Sequence, residues 1–435
     1  MMHKFHLIIA LLFCAATALH AQDDQEEGGD DWGDEDWGDE ITLPEIHGFA
    51  ELAGAARFDA GPGADEDILL SEARFRLDVS HRGSAADLIV KADFVADDVL
   101  DLTDIDLRQA YIDIRAADWL NIRAGRQILT WGTGDFVFLN DLFPKDFVSF
   151  FAGRDDEFLK APATAVKFAV YNELANVDLI WLPIFTSDRF ISGERLTFFS
   201  PAGGTIVGPA VLEMPVSPLY PRRTLDKGEF AARIYRSLGS AEISLYGSVG
   251  FFKQPTAFDV NSGMPTFAPL NTAGASVRLP LLGGLANVEA AYYDSADDPD
   301  GDNPFIPNSQ LRILAGFEHE IVSNLTGSAQ YYLEQTADHA ALLANSATPQ
   351  FEPDENRQWI TGRLTLRALR QTLRLGLFGI YSLEEDYHVR ATAAYQWSDA
   401  LNISFGALLM GGEDFSFFGG LKHNSNAFVR VRYGF

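Results

Sequence analysis

The sequence predicts an all-β fold, a transmembrane antiparallel up-and-down β-barrel of about 18 strands, with about 16 as the lower count. Three observations predict it. Apolar and polar residues alternate with a period of two in runs that recur from Ile46 to Phe435, roughly one per 20 residues. The connections between these runs alternate short and long. No helix-period segment of comparable length competes with them, and no segment offers the ~18 consecutive apolar residues of a membrane helix.

Residues 1–21 read as a secretory signal. Lys4 precedes an apolar run over 7–16, and small residues follow, with Ala16-Thr17-Ala18 or Leu19-His20-Ala21 as cleavage sites. Phe13 directly before Cys14 disfavours a lipid-modified cysteine. Cys14 is the only cysteine, so the mature chain is expected to hold itself together without disulfides or cysteine metal sites. Residues 22–45 are strongly acidic and are expected to be a disordered periplasmic segment. Asp31-Trp32-Gly33-Asp34-Glu35 is repeated as Asp36-Trp37-Gly38-Asp39-Glu40. Trp32 and Trp37 are candidate anchors for a periplasmic partner; loose Ca²⁺ binding and a solvated spacer are the other readings.

The barrel is expected over 46–435. The chain carries a net charge of −29. Its first 45 residues hold 12 acids and one lysine, so the remaining 50 acids and 32 bases leave −18 on the barrel, which excludes nucleic acid as a partner class. Over 70–80, Ala73, Phe75, Leu77 and Val79 face one way and Glu72, Arg74, Arg76 and Asp78 the other. Over 87–95, Leu88, Val90, Ala92 and Phe94 oppose Lys91 and Asp93. Short connections at 82–84, 116–118, 173–175, 238–240, 282–284, 322–324, 369–371 and 398–400 alternate with long ones near 59–68, 96–104, 132–162, 184–226, 253–270, 294–308, 336–356 and 411–424, with a short connection near 382–386 completing the long class by order. Tight turns on one side of the membrane and long loops on the other account for this sorting. A chain that starts and ends on the same side needs an even strand count. Trp119, Trp131, Trp181, Tyr293, Tyr331, Trp359, Tyr395, Trp397 and Tyr433 near strand ends are expected to form interfacial girdles.

A barrel of this size leaves room for an aqueous lumen. Candidate pore-lining residues are Arg74, Arg76, Arg123, Arg126 and Lys167, with Arg74 and Arg76 the favoured pair; opposed wall charges that merely neutralise one another are the competing reading. Strict alternation from Leu120, Ile122 and Ala124 would put Arg126 into lipid at about 2–4 kcal/mol, so a bulge at Gly125, or a local break, is expected to swing it inward. The connection over 132–162 holds seven phenylalanines beside Asp135, Asp141, Asp146, Arg154, Asp155 and Asp156. So many phenylalanines in a water-facing loop call for burial, and Phe147 is named with those acids and Arg154 as the candidate constriction loop.

Gly125-Arg126-Gln127, followed after three residues by Trp131-Gly132, resembles a segment of a porin-like family of Gram-negative outer-membrane proteins, some of them encoded near export pumps. The final strand, ending on Tyr433-Gly434-Phe435, resembles the closing strand of such barrels, and the resemblance implies that Phe435 is read by the barrel-assembly machinery. It also implies an outer-membrane location in contact with membrane lipid, and a third external loop folded into the lumen. The expected function is passive diffusion of small solutes through a charged constriction. The alternative is a transporter of hydrophobic or amphipathic molecules, including the outer-membrane component of an export system, which the Phe-rich loops and the acidic tryptophan segment favour. No cofactor is expected, and an enzyme is disfavoured because the histidines show no convergent Ser or Asp pattern.

Overall fold

Backbone in hydrocarbon must satisfy every N–H and C=O within the protein, and a closed antiparallel sheet does so without an edge. The structure, a computed structural model that describes residues 43–435, meets this condition with 18 strands in one sheet. Each pairs antiparallel with the barrel strand before and after it, and the last, Asn426–Gly434, closes on the first, Glu45–Arg57. The seam runs from Phe49 opposite Gly434 to Arg57 opposite Asn426. Just past it, Gly48 and Phe435 exchange two backbone hydrogen bonds of 3.0 and 3.1 Å, and the Phe435 ring stacks on Phe75 at 5.6 Å. The expected signal segment and the repeat with Trp32 and Trp37 lie outside the described residues.

Alternation is realised as predicted. In Asn426–Gly434, Val429, Val431 and Tyr433 are exposed, whereas Phe428 and Arg430 are buried. In Leu373–Ser382, Leu375, Leu377 and Tyr381 face out and Phe378 and Ile380 face in. The exposed aliphatic and aromatic residues form the apolar belt that a transmembrane barrel needs.

One rim carries tight turns. Leu281 pairs with Gly284 across the two residues Leu282 and Gly283, both at positive φ (49° and 77°), the conformation that fits the right-handed strand twist. The strand pairs Leu102–Ala117 with Leu120–Gln127 and Glu229–Leu238 with Ala241–Phe251 are also joined by two residues. The other rim carries the long connections, and several of these fold inward. They fill the upper lumen with three apolar clusters. One joins Phe150, Phe151 and Leu196 to Phe378, Ile380, Leu408, Phe418 and Phe428. A second joins Val137 and Leu139 to Tyr293, Leu314 and Tyr332, and a third joins Leu129 and Phe143 to Ala163, Ala165 and Ile180.

This filling corrects three of the expected girdle residues. Tyr293 faces inward and is buried, donating to the Leu139 carbonyl at 2.6 Å. Trp359 packs inside against Tyr332 and Phe418, and Trp131 packs on Phe143. Proximity to a strand end does not decide which face a residue takes. Trp119, Trp397 and Tyr433 are exposed, as girdle residues should be.

Removing Phe435 deletes the last hydrogen-bonded rung of the closing seam and the stack on Phe75. The expected outcome is a lower yield of the heat-modifiable folded band on unboiled gels; wild-type yield would show that the seam does not need this rung.

Candidate pore constriction

The constriction is built from the connection between the strands Leu120–Gln127 and Ala163–Val170. Gln127 is fully buried on the inward face and donates to the Ala165 carbonyl at 3.0 Å. From there the chain enters the lumen. It contains one short helix, α1 (Phe147–Ala152), and a single 3₁₀ turn (Asp156–Leu159). Asp146 caps α1, accepting from the Ser149 N–H and hydroxyl, both at 2.7 Å. Gly153 ends it at φ 88°. Asp155 caps the 3₁₀ turn by accepting from Glu157 N–H at 3.1 Å.

Glu289 holds one side of the loop. Fully buried on its strand, it accepts from Thr133 N–H (2.9 Å), the Thr133 hydroxyl (3.1 Å), Asn140 N–H (3.1 Å) and the Asn140 amide (2.8 Å). Gln330 exchanges a pair of hydrogen bonds with the Asp135 backbone. Four satisfied acceptor contacts on a buried carboxylate are strong, and leaving their donors unpaired costs about 1–3 kcal/mol each.

An arc of wall arginines holds the other side. Arg363 pairs with Asp135 at 2.5 Å, Arg390 with Asp156 at 2.9 Å and Arg430 with Asp155 at 3.2 Å. Glu157 bridges Arg76 (2.6 Å) and Arg432 (2.8 Å). In the opposite sense, loop Arg154 pairs with wall Glu72 at 2.6 Å. Buried Phe158 lies beneath the guanidinium groups of Arg74, Arg76 and Arg108, at 4.3, 5.3 and 5.2 Å from its ring centre. The pairs are asymmetric in exposure: the side chain of Arg390 is 4% exposed, that of Asp156 49%. Water in the remaining lumen therefore meets the carboxylates of Asp135, Asp155, Asp156 and Glu157 more than the arginines behind Asp155 and Asp156. Burial opposes the charge on Asp155, yet Arg430 and Arg432 hold its carboxyl below the usual aspartate range.

The expected site residues sort accordingly. Arg74 and Arg76 point inward, but Glu72, Asp93, Glu157 and Phe158 cover them; they clamp the loop and do not line open water. Arg123 with Asp113, and Lys167 with Asp178, form wall pairs nearer the tight-turn rim. Asp135, Asp155 and Asp156 lie on the water-facing edge of the loop. Asp141 and Asp146 do not: Asp141 is buried against Lys145 and Thr130, and Asp146 is spent on its cap and on Arg189. Phe147 packs beside the first apolar cluster.

Arg126 requires the clearest correction. The register runs through it without a shift, Ala110–Arg126–Thr164, on the outward face with Ile122 and Ala124. Gly125 does have an unusual φ of 129°, and a Cβ there would meet the Ala110 carbonyl at 2.3 Å. The turn is absorbed within that residue and produces no bulge. The bulge lies one strand earlier, between Leu107 and Gln109, and the arginine it turns inward is Arg108. Glu289 was legible as an inward residue from its alternation with Val288 and Tyr292, which face out; Arg108 had no such signal.

No family model matches the chain, and no curated protein does. Solved structures do match. The chain has the fold of an outer-membrane porin barrel. OccK2 (OpdF) of Pseudomonas aeruginosa, solved in complex with glucuronate, is 10% identical over 90% of this chain and 97% of its own, with a TM-score of 0.53. OccAB3 of Acinetobacter baumannii is 9% identical over 90% and 99%, with a TM-score of 0.52. At such identity the likeness is one of architecture.

Replacing Glu289 with Ala removes the four loop contacts and is expected to cost about 2–4 kcal/mol of loop attachment, read as faster protease cleavage within 128–162 while the barrel stays heat-modifiable. Because the Asp155 carboxyl is held below its ordinary value, its contribution is complete above about pH 4 and is lost as pH falls further. Wild-type loop protection is therefore expected to be equal at pH 7 and pH 5, and an Asp155→Asn variant to lose part of it at both.

Proposed function

We propose that this chain is a porin-like channel of the outer membrane through which small solutes diffuse past a charged constriction. One observation carries the reading: the connection over 128–162 lies inside the lumen of an 18-stranded barrel and presents partly exposed carboxylates along its edge. Wall arginines sit directly behind two of them, so a solute passing that edge crosses a steep local field whose water-facing side is the carboxylates. The step is passive and no bond is made or broken. The loop phenylalanines support this reading over a hydrophobic carrier, since Phe143, Phe150, Phe151 and Phe158 are buried in the loop's own packing and offer no greasy surface to a passing molecule.

Reconstituted in a planar bilayer, the wild-type barrel is expected to give discrete conductance steps. Asp156→Asn uncovers the charge of Arg390 and is expected to shift the reversal potential in a salt gradient toward anions. A barrel that inserts but conducts nothing would overturn the channel reading; conduction with unchanged selectivity would remove Asp156 from the constriction.

A further inference from the structure

Most inward-facing cations of this barrel have a carboxylate partner. Where two of them stand opposite one another in register, as Arg123 and Lys167 do, each still has an acid of its own, Asp113 and Asp178. Arg278 lacks an ion pair but stands opposite Glu242. One pair has neither. Arg367, on the strand Asn356–Ala368, stands directly opposite Arg374 on Leu373–Ser382. Alternation puts both on the inward face, with Arg363 and Phe378, toward the tight-turn rim. The turn that joins the two strands adds Arg370, and the Thr372 hydroxyl ties this turn by donating to the Leu369 carbonyl at 2.7 Å. All three arginines are exposed, and none has a carboxylate within 4.0 Å among the described residues. Like charges set directly opposite one another on a sheet destabilise it, so this hairpin end favours an anion that spans the pair.

The chain itself carries such an anion next to the barrel. Residues 22–44 hold 11 acids and no base. They lead into the barrel on the same rim: Glu45, the first residue of the first strand, pairs with Ser80 beside the tight turn after Arg82. Three strands separate Glu45–Arg57 from Leu373–Ser382, so the arginines lie four interstrand steps away, about 19 Å along the wall at ~4.8 Å per step. The repeats Asp36-Trp37-Gly38-Asp39-Glu40 and Asp31-Trp32-Gly33-Asp34-Glu35 end five and ten residues before Glu45. At ~3.3 Å per residue these spans reach up to about 17 and 33 Å, which brackets the distance to the arginines. The turns on either side carry acids instead: Glu320 leads into the turn at 323–324, and Asp399 lies in the turn after Gln396. Charge thus singles out the arginine hairpin from its neighbours.

We propose that the acidic repeat over 31–40 docks on the hairpin end formed by Arg367, Arg370 and Arg374, with its carboxylates on the guanidinium groups. A guanidinium is the group of choice for bidentate carboxylate contact, and the repeat supplies the counter-charge that the wall withholds. Exposed ion pairs are individually weak, but a tether whose reach matches the span holds the repeat at an effective concentration on the order of millimolar. The chain thereby lays its own N-terminal segment along the tight-turn mouth of the lumen and covers arginines that a passing anion would otherwise meet.

Disulfide trapping in the full chain, in dioleoylphosphatidylcholine nanodiscs and with Cys14→Ser, tests this directly. Gly38→Cys is combined either with Gln371→Cys in the arginine turn or with Asp118→Cys, in a turn a comparable number of strands from Glu45 on its other side. Trapping at Gln371→Cys is expected to exceed that at Asp118→Cys at least about fivefold, to fall to the Asp118→Cys level in Arg367→Gln/Arg374→Gln, and to recover in Arg367→Lys/Arg374→Lys. Raising NaCl to about 0.5 M is expected to reduce it with both arginines intact, which keeps the test open if the Gln variant lacks the heat-modifiable folded band. Equal trapping at the two turns, or none at either, would overturn the docking, as would trapping at Gln371→Cys that ignores both the arginines and salt. Trapping lost on addition of dioleoylphosphatidylglycerol would also overturn it, since the arginines would then hold a lipid headgroup.

Discussion

Everything in this molecule follows from the need to pair backbone groups where water is absent. A closed 18-strand sheet meets it, and the seam between Asn426–Gly434 and Glu45–Arg57 is the last condition for closure. Closure at this strand number encloses more space than wall side chains can fill. The chain answers by sending its long connections inward. Their phenylalanines find in the lumen the burial that a water-facing loop denies them, and their acids find the wall arginines. The apolar packing and the ion pairs thus depend on each other. Phe158 could not lie beneath three guanidinium groups unless Glu72, Asp93 and Glu157 neutralised two of them.

The fold was legible because its signals are local and repeated. Period-two alternation assigns faces strand by strand, and loop parity assigns rims, so that Val429 and Val431 outward and Arg430 inward could be read from the sequence alone. The candidate site was legible only in part. The inward placement of Arg74 and Arg76 follows from alternation; their burial depends on where Phe158 and Glu157 land, some 80 residues further on. Asp155 and Asp156 were recognisable as loop acids, but so were Asp141 and Asp146; the Lys145 and Thr130 contacts that bury Asp141, and the α1 cap and Arg189 that occupy Asp146, separate the two kinds.

Arg126 shows where sequence reasoning meets its limit. The energetic premise, that an arginine is costly against lipid, is sound. The relief was sought in the strand carrying the arginine, at Gly125. The register instead continues, and a bulge one strand away turns Arg108 inward. A bulge is specified by the pairing of two strands, which a single strand's pattern does not encode.

The central claim is that the water-facing edge of the inserted loop borders the path of solute. Cys14 is the only native cysteine, so a variant that also carries Cys14→Ser leaves a single engineered thiol to report without background. Single-channel recording of an Asp156→Cys variant, before and after addition of a bulky charged methanethiosulfonate, measures whether that edge lies on the path. A stepwise, irreversible fall in conductance is predicted. Complete labelling of the thiol with unchanged conductance would contradict the account.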